Sequence, residues 1–206
     1  VVSGSHTPPG SDSPAPADFV GRKTALRDQL LTSRGRIGLP RLGSLARALS
    51  QVVTDIPDVR SAGTVALYVS IGTEPGTGPL IDELDAAGKR ILLPCLLPDN
   101  DLDWAAYDGE LVRAPRGLLE PGGERLGVSA IAGADVVLVP GLAVDSRGHR
   151  MGRGGGSYDR VLGRVPAGTF TCALLYPWEI GVSVPVEAHD RAVGAAASAE
   201  GMQRFS

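Results

Sequence analysis

The hydrophobic residues of this 206-residue chain recur first at helical spacing and later in short continuous runs. A helix is predicted over residues 18–37, where Asp18 can cap the first turn and apolar positions keep a helical period. A second helix is predicted over residues 40–53, since its apolar positions recur every three or four residues. Helical patterns return at residues 78–89, which Gly88 closes, and at residues 158–165.

Between these helices lie short apolar runs that are typical of buried strands. They are residues 64–70, 90–97, 134–145 and 170–176, with a shorter and more exposed strand at 102–107. The run over 134–145 holds one strong strand and has room for a second. Alternation of strands and helices predicts an α/β fold with three layers, in which a mostly parallel sheet has helices on both faces.

Composition divides the chain into a leader and one domain. Residues 1–18 are rich in Pro, Ser and Gly and have almost no core material, so we expect them to be a disordered leader. Residues 19–206 are then one domain of ordinary size, and the apolar fraction of 43% suits a globular protein.

Charge and cysteine content narrow the class of protein. A net charge of -3 argues against general nucleic-acid binding, and no apolar run approaches the length of a membrane span. Cys95 and Cys172, the two cysteines, lie in apolar strands, and we expect both to be buried free thiols. No signal-peptide pattern opens the chain, so we expect a cytoplasmic protein. We also expect it to be a monomer.

Residues 147–159 carry the most informative local chemistry. Five glycines occur at 148, 152, 154, 155 and 156, among Arg147, Arg150 and Arg153, and Asp159 follows. Glycine backbone can turn amide groups toward phosphate, arginine can add charged hydrogen bonds, and a carboxylate can hold Mg²⁺. The segment is neither a P-loop nor a dinucleotide fingerprint. From the residues alone, phosphate binding and a surface loop with solvated arginines both remain open.

The stretch "VPGLAVDSRGHRMGRGGGSYDRVL" resembles the signature of the 5-formyltetrahydrofolate cyclo-ligase family, also called methenyltetrahydrofolate synthetases. Three further markers are similar in the same order: "KTALR" at 23–27, "YVSIGTEPGT" at 68–77 and "VPVEAHDRAV" at 184–193. The resemblance extends from about residue 19 to about residue 194. It implies a fold like that of the sugar-phosphate isomerases and CoA transferases.

The resemblance also implies a reaction. Members of the family use ATP and Mg²⁺ to close 5-formyltetrahydrofolate into 5,10-methenyltetrahydrofolate, with release of ADP and phosphate. The partners implied are therefore ATP and the folate, with or without a polyglutamate tail, and neither nucleic acid nor a membrane.

Residue roles are carried over by position in the matching motifs. ATP binding is implied for Lys23, Arg27, Arg150, Met151, Gly152, Arg153, Gly154, Gly155, Gly156, Ser157 and Tyr158. Substrate binding is implied for Glu74, Arg153, Gly154, Gly155, Gly156 and Ser157. Asp159 and Asp190 are the implied Mg²⁺ ligands, and Arg153 and Asp159 the implied catalytic residues. Trp178 is a further candidate for the pocket, whereas Tyr68, Trp104 and Tyr107 are expected to be buried or partly buried.

Two departures from the family pattern leave alternatives open. Ser157 stands where the family has a tyrosine, and Gly155 stands where many relatives carry a basic residue. A weak or inactive paralogue that binds folate or nucleotide is therefore one alternative. A sugar-phosphate isomerase-like enzyme on the same fold is another.

Overall fold

A computed structural model describes residues 16–187 and 190–205. Its helices are α1 (Pro16–Gly35), α2 (Leu39–Thr54), α3 (Pro57–Ser61), α4 (Gly78–Ala86) and α5 (Ser157–Arg164). Its strands are β1 (Thr64–Ala66), β2 (Arg90–Leu96), β3 (Leu102–Ala106), β4 (Leu111–Arg113), β5 (Leu119–Pro121), β6 (Val136–Pro140), β7 (Ala143–Val144), β8 (Arg150–Met151), β9 (Phe170–Leu174), β10 (Ala195–Ser198) and β11 (Gly201–Arg204). No helix within the described residues has the length and apolar character needed to cross a membrane. Residues 1–15 of the predicted leader lie outside the described residues.

Within the described part of the chain, seven strands form the central sheet in the order β11-β10-β9-β6-β1-β2-β3. The inner pairs are parallel, and only the edge strands β3 and β11 run antiparallel to their neighbours. Helices α2 and α4 cover one face, while α5 and the 3-10 turn Val128–Gly133 cover the other. The predicted three-layer α/β fold with a mostly parallel sheet is therefore confirmed.

Strand β6 illustrates why continuous apolar runs form the inner strands. Val136 and Leu138 pack with the α2 and α4 side of the sheet, whereas Val137 and Val139 pack with the α5 side. All four side chains are buried. A strand covered on both faces needs apolar residues at every position, which removes the alternation seen in half-exposed strands.

The order of the strands reverses at β1 and β6. From β1 the chain passes through α4 to β2 on one side, and from β6 it passes through α5 to β9 on the other. The segments after β1 (residues 67–77) and after β6 (residues 141–156) therefore emerge at the same edge and diverge. In open α/β sheets such a crevice is where ligands bind.

Two predicted strands differ from the observed ones for identifiable reasons. Strand β1 ends at Ala66 rather than at residue 70, because the backbone that follows it bonds to Thr77. The Thr77 hydroxyl donates to the Tyr68 carbonyl at 2.7 Å and accepts from the Ser70 amide at 3.0 Å. The prediction that β3 is more exposed is wrong. Trp104 in β3 is buried, since Ile131 of the 3-10 turn packs in the same cluster.

Other elements were not predicted. Strand β10 has the sequence Ala-Ala-Ala-Ser, a composition with low strand propensity, yet every residue of it is buried between β9 and β11.

Helix α1 was predicted, but it begins at Pro16, which places Asp18 inside the helix rather than at its cap. The expectation of buried free thiols is confirmed for Cys95 and Cys172.

A fully buried ion pair fixes the inner side of α1. The Arg34 guanidinium donates to both carboxylate oxygens of Glu179, each at 2.7 Å, and to the Gly141 carbonyl at 2.6 Å. Neither charged side chain is exposed to solvent. Because Gly141 directly follows β6, this pair ties α1 to the start of one crevice segment.

Removing one partner of this pair is expected to be costly. Arg34→Ala leaves the Glu179 carboxylate buried without a counter-charge, so we expect the free energy of unfolding to fall by about 3–5 kcal/mol. Urea unfolding followed by circular dichroism measures the loss. Arg36→Ala, at an exposed position two residues away, is the matched control and should change the value by less than about 0.5 kcal/mol. Equal effects of the two substitutions would contradict a special role for the buried pair.

Candidate active site

A cavity of about 540 Å³ opens at the crevice between the segments that follow β1 and β6. Its walls also include α1, the connection between β2 and β3, and the hairpin formed by β4 and β5. All the site residues predicted from sequence line it, namely Lys23, Arg27, Glu74, Arg150, Met151, Gly152, Arg153, Gly154, Gly155, Gly156, Ser157, Tyr158, Asp159 and Asp190. The fold thus brings together residues from four separate parts of the chain, while their individual roles remain predictions.

The glycine-rich segment consists of a hairpin and a loop. Strands β7 and β8 pair through Val144 with Arg150 and Ala143 with Met151, and the turn between them has Gly148 at φ 84°. A side chain at Gly148 would meet the Val193 carbonyl at 2.3 Å, so the turn requires glycine. The hairpin places Arg150 rigidly at the cavity, whereas Arg147 lies in the turn and does not line it.

Arg150 is buried, and its charge is directed at Asp159. Its Nη2 donates to Asp159 Oδ1 at 3.0 Å, and its Nη1 donates to the Pro140 carbonyl at 3.3 Å. Burial lowers the pKa of Arg150, although the nearby Asp159 opposes this. The predicted nucleotide contact of Arg150 is untested, and the geometry adds a second task, which is to orient a predicted metal ligand.

Three glycines of the loop have conformations or neighbours that exclude a side chain. Gly154 and Gly156 have φ of 97° and 70°, and a Cβ at Gly152 would lie 2.7 Å from Arg150 Nη1. Gly156 is also the N-cap of α5, so the amides of residues 157–159 have no acceptor within the helix. Such amides at a helix start, reached through a glycine loop, suit the oxygens of a phosphate.

Lys23 and Arg27 extend from α1 toward this loop. Lys23 Nζ donates to Asp190 Oδ2 at 2.8 Å and to Glu187 Oε2 at 2.7 Å, and Arg27 Nε donates to the Gly152 carbonyl at 3.3 Å. Burial works against the charge of Lys23, but the two carboxylates raise its pKa overall. Glu187 was not predicted; its position three residues before Asp190 in "VPVEAHD" is the only sequence signal for it.

Glu74 lies opposite the loop with its carboxylate nearly buried. Its Oε2 accepts from the Ile71 amide at 3.0 Å, and its Oε1 is 3.1 Å from Arg153 Nε. Burial raises the pKa of Glu74, while the Ile71 amide, Arg153 and Arg34 act in the opposite direction. Arg153 is half-exposed and regains water if it leaves Glu74, whereas the nearly buried Glu74 carboxylate would then need another hydrogen-bond donor.

One wall of the cavity is apolar and was not predicted. Its side chains are those of Pro94, Leu96, Leu102, Leu118 and Leu119. Glu120 also lines the cavity here, and it accepts from the Leu96 amide at 2.8 Å, which fastens the hairpin to the sheet, and from Arg125 at 2.9 Å. The sequence signal was weak, since a pair of leucines between Gly117 and Pro121 is short for a strand.

The aromatic residues divide between the cavity and other places. Tyr158 is partly buried at the cavity with its ring centre 6.0 Å from the Arg150 guanidinium, and Tyr68, which is buried in the core, also lines the cavity. Trp178 does not line the cavity: it stacks on Tyr176 at 5.2 Å and is exposed on its outer side. The candidacy of Trp178 as a pocket residue is therefore wrong.

The acidic groups of the cavity suit a hard cation bound together with phosphate. No group of three or more His, Cys, Asp or Glu side chains that could hold a metal ion occurs among the described residues. Mg²⁺ does not require such a cage, because it is commonly held by one or two carboxylates with water and phosphate oxygens. Asp159 and Asp190, which line the same cavity, fit that requirement.

Comparisons with known proteins agree with the resemblance. A family model described as the 5-formyltetrahydrofolate cyclo-ligase family matches residues 20–198. The 5-formyltetrahydrofolate cyclo-ligase of Mycolicibacterium smegmatis is 38% identical over 177 residues, covering 83% of this chain and 90% of that protein. The Escherichia coli K12 protein of the same name is 40% identical over 110 residues, covering 52% of this chain and 60% of that protein. The solved 5,10-methenyltetrahydrofolate synthetase of Aquifex aeolicus superposes with a TM-score of 0.76 at 26% identity, covering 89% of this chain and 92% of that one.

The contrast between Gly152 and Gly155 gives a paired test of the loop geometry. Gly152→Ala must displace the buried Arg150 guanidinium, and we expect it to lower the free energy of unfolding by about 1–3 kcal/mol. Gly155→Ala is the control, since its Cβ meets only Ser157 Oγ at 3.6 Å and its φ is not positive; its effect should stay within about 0.5 kcal/mol. Chemical unfolding of the two variants measures both changes. If Gly155→Ala lowers the free energy of unfolding as much as Gly152→Ala does, this geometry of the loop is contradicted.

The buried carboxylate of Glu74 predicts a pH-dependent stability difference. Its pKa is higher in the folded protein than in the unfolded chain, so ionised Glu74 reduces stability above the folded pKa and has no such effect well below the ordinary value of 4.5. The stability of Glu74→Gln relative to the parent protein should therefore increase as the pH rises from 4 to 7.5. Urea unfolding at several pH values measures this, with the exposed Glu124→Gln as control. A difference that is constant or falls with pH would refute the assignment.

Proposed function

This chain belongs to the 5-formyltetrahydrofolate cyclo-ligase family, and we propose that it couples cleavage of ATP to closure of 5-formyltetrahydrofolate into 5,10-methenyltetrahydrofolate. One observation carries the proposal for this chain. A single cavity collects a glycine loop at a helix start, two cationic side chains of α1 and a nearly buried carboxylate on the opposite wall. The first two suit a polyphosphate, and the third suits the N–H groups of a pterin.

The proposed reaction needs activation because a formamide oxygen is a poor leaving group. The formyl oxygen attacks the γ-phosphorus of ATP, the bond to the bridging oxygen breaks, and ADP leaves. The N10 nitrogen then attacks the formyl carbon and closes the ring, and the formyl oxygen departs with the phosphoryl group as phosphate. N10 loses its proton as the ring closes, and this proton is released together with the phosphate.

Phosphoryl transfer demands positioning and charge neutralisation more than covalent chemistry from the protein. We assign the phosphates to the amides at the start of α5, with Lys23 and Arg27 on the α1 side. Arg153 belongs to the loop, and its Nε lies 3.1 Å from Glu74 Oε1. Its side chain can therefore contact both of the proposed substrates. This supports its role in stabilising charge on the phosphoryl group during transfer.

Two carboxylates are proposed to hold Mg²⁺, and both are already oriented by cations. Arg150 holds Asp159 through Oδ1, and Lys23 holds Asp190 through Oδ2. A bound Mg²⁺ would neutralise charge on the β- and γ-phosphates. The protein side of this arrangement is the fixed direction of each carboxylate, which reduces the ordering that binding requires.

The folate is assigned to the wall opposite the phosphates. Glu74 is a hydrogen-bond acceptor with its ionised form disfavoured by burial, so donors from a pterin would stabilise it. The apolar wall with Leu118 and Leu119 supplies a dry surface for the flat rings of the substrate. Arg153 reaches from the loop to Glu74, and we assign the formyl group to this region between the two proposed substrate sites.

Turnover by the purified protein tests the proposal directly. The near-ultraviolet absorbance of the methenyl product should rise only when 5-formyltetrahydrofolate, ATP and Mg²⁺ are all present. Folate binding without product would instead support a non-catalytic paralogue. Turnover of sugar phosphates without folate turnover would support an isomerase-like enzyme.

Two substitutions of Asp159 distinguish its proposed role as a Mg²⁺ ligand from its role as the partner of Arg150. Asp159→Asn retains an acceptor for Arg150 and should keep most of the stability, yet we expect kcat to fall by about 100-fold or more, because a neutral amide is a poor ligand for Mg²⁺. Asp159→Ala should in addition lose roughly 3 kcal/mol of stability, since it removes both the counter-charge and the Oδ1 acceptor of the buried Arg150 guanidinium. Asp85→Asn, at an exposed position of α4, is the control. Normal kcat in Asp159→Asn would exclude the metal role.

A further inference from the structure

Two tyrosine hydroxyls hold the backbone on both sides of Glu74. Tyr176 donates to the carbonyls of Thr73 and Glu74 at 3.1 and 3.3 Å. Tyr68 donates to the carbonyl of Pro75 at 3.0 Å. Three successive carbonyls are thus fixed by side chains from two different segments, one after β1 and one after β9.

Both rings stand on rigid supports. Tyr176 stacks on Trp178, and the buried Arg34 guanidinium lies 5.3 Å from its ring centre. Its backbone amide donates to the Glu179 carboxylate at 2.9 Å. Tyr68 is buried in the core beneath the sheet edge, and its own carbonyl is bonded to Thr77. The two hydroxyls therefore have little freedom to follow a moving loop.

The segment that they hold would otherwise be flexible. Gly72 and Gly76 flank it, and Gly72 has φ of 58°. Glycine increases the number of backbone conformations available to a loop, so ordering the loop costs conformational entropy. A displacement of about 1 Å in a substrate-contacting group can reduce turnover about 100-fold. Within the segment, Glu74 is bonded only to Ile71, through its own amide and through its carboxylate, so further support of its backbone must come from outside the segment.

Both hydroxyls remain donors at neutral pH. Burial raises the pKa of Tyr176 to about 12, with Arg34 opposing, and raises that of Tyr68 well above its ordinary value. Neither hydroxyl is hydrogen-bonded to the Glu74 carboxylate, whose partners among the described residues are the Ile71 amide and Arg153. Their contacts are with the backbone that carries it.

We propose that Tyr68 and Tyr176 are positioning residues that preorganise Glu74 to bind the folate; this inference rests on the proposed function. Their role is to fix the Glu74 backbone, so that the carboxylate meets the pterin without a search through loop conformations. The proposal predicts that loss of either hydroxyl acts on folate binding and leaves nucleotide binding nearly unchanged.

Removal of single hydroxyls tests the proposal while keeping both rings. Tyr68→Phe and Tyr176→Phe should each raise KM for 5-formyltetrahydrofolate and its Kd, measured calorimetrically without ATP, by about tenfold. KM for ATP should change less than about twofold. The control is Tyr107→Phe, because its hydroxyl donates to the Gly109 carbonyl at 3.1 Å and the residue does not line the cavity. Unchanged folate Kd in both tyrosine variants would overturn the proposal.

A double-mutant cycle separates positioning from direct contact. In a Glu74→Ala background the two hydroxyl deletions should have no further effect on folate Kd, since there is no carboxylate left to position. An equal loss in that background would mean that the hydroxyls act on the substrate themselves, and would overturn the positioning role.

Amide hydrogen exchange tests the positioning role of the two tyrosines without relying on folate binding, so its outcome is distinct from that of the proposed function. If the parent protein binds no folate, the proposed function fails, but the hydroxyls can still be tested on the loop. Amide exchange in residues 71–76 should accelerate about tenfold in both phenylalanine variants and not in Tyr107→Phe. Equal exchange rates in all the proteins would overturn the inference even if the parent protein turns over folate.

Discussion

The buried pair of Arg34 and Glu179 is the interaction on which the geometry of the cavity depends. Arg34 bonds to the Gly141 carbonyl, where the glycine segment begins, and Glu179 accepts the amide of Tyr176. Through Tyr176 the same pair reaches the backbone of Glu74. A buried ion pair contributes little net stability compared with apolar packing, but loss of one partner is costly, so the two partners stay together. Here the pair links the backbone at Gly141, in one crevice segment, to the backbone at Tyr176, whose hydroxyl bonds to the other segment at Glu74.

Opposite charges within the cavity are already paired, and the pairs differ in how easily they exchange. Arg150 and Asp159 form a largely buried pair that substrates would not separate, because an unpaired buried guanidinium is costly. Arg153 and Glu74 form a pair with one half-exposed partner, so a substrate donor that reaches the Glu74 carboxylate can replace Arg153. The first pair therefore acts as fixed structure and the second as an exchangeable contact. We therefore propose that Arg150 orients Asp159 and that Arg153 contacts the transferring phosphoryl group.

The inner strands other than β10 and the glycine loop could be predicted because their signals are local. The continuous apolar runs identify buried strands, and the motif from Arg150 to Asp159 lies at the end of one of them, where ligands collect. The family resemblance alone implied Lys23, Arg27, Glu74 and Asp190, and the apolar wall was not predicted. Interactions between distant residues could not be predicted. Arg34 and Glu179 are 145 residues apart, and nothing in either neighbourhood marks them as partners. Strand β10 was missed for the same reason, since its alanines form a strand only because β9 and β11 flank them.

Gly155 shows how the structure refines a departure from the family pattern. Gly152, Gly154 and Gly156 are constrained by a close neighbour or a positive φ, whereas Gly155 has ordinary φ and only Ser157 Oγ near its missing side chain. A residue with a side chain could therefore occupy this position without rearranging the loop. The absence of a basic residue here changes the charge of the cavity and not its shape. Arg27, which lies against Gly154 with its guanidinium 3.4 Å from the position of a Cβ, is a cation able to supply that charge to a phosphate.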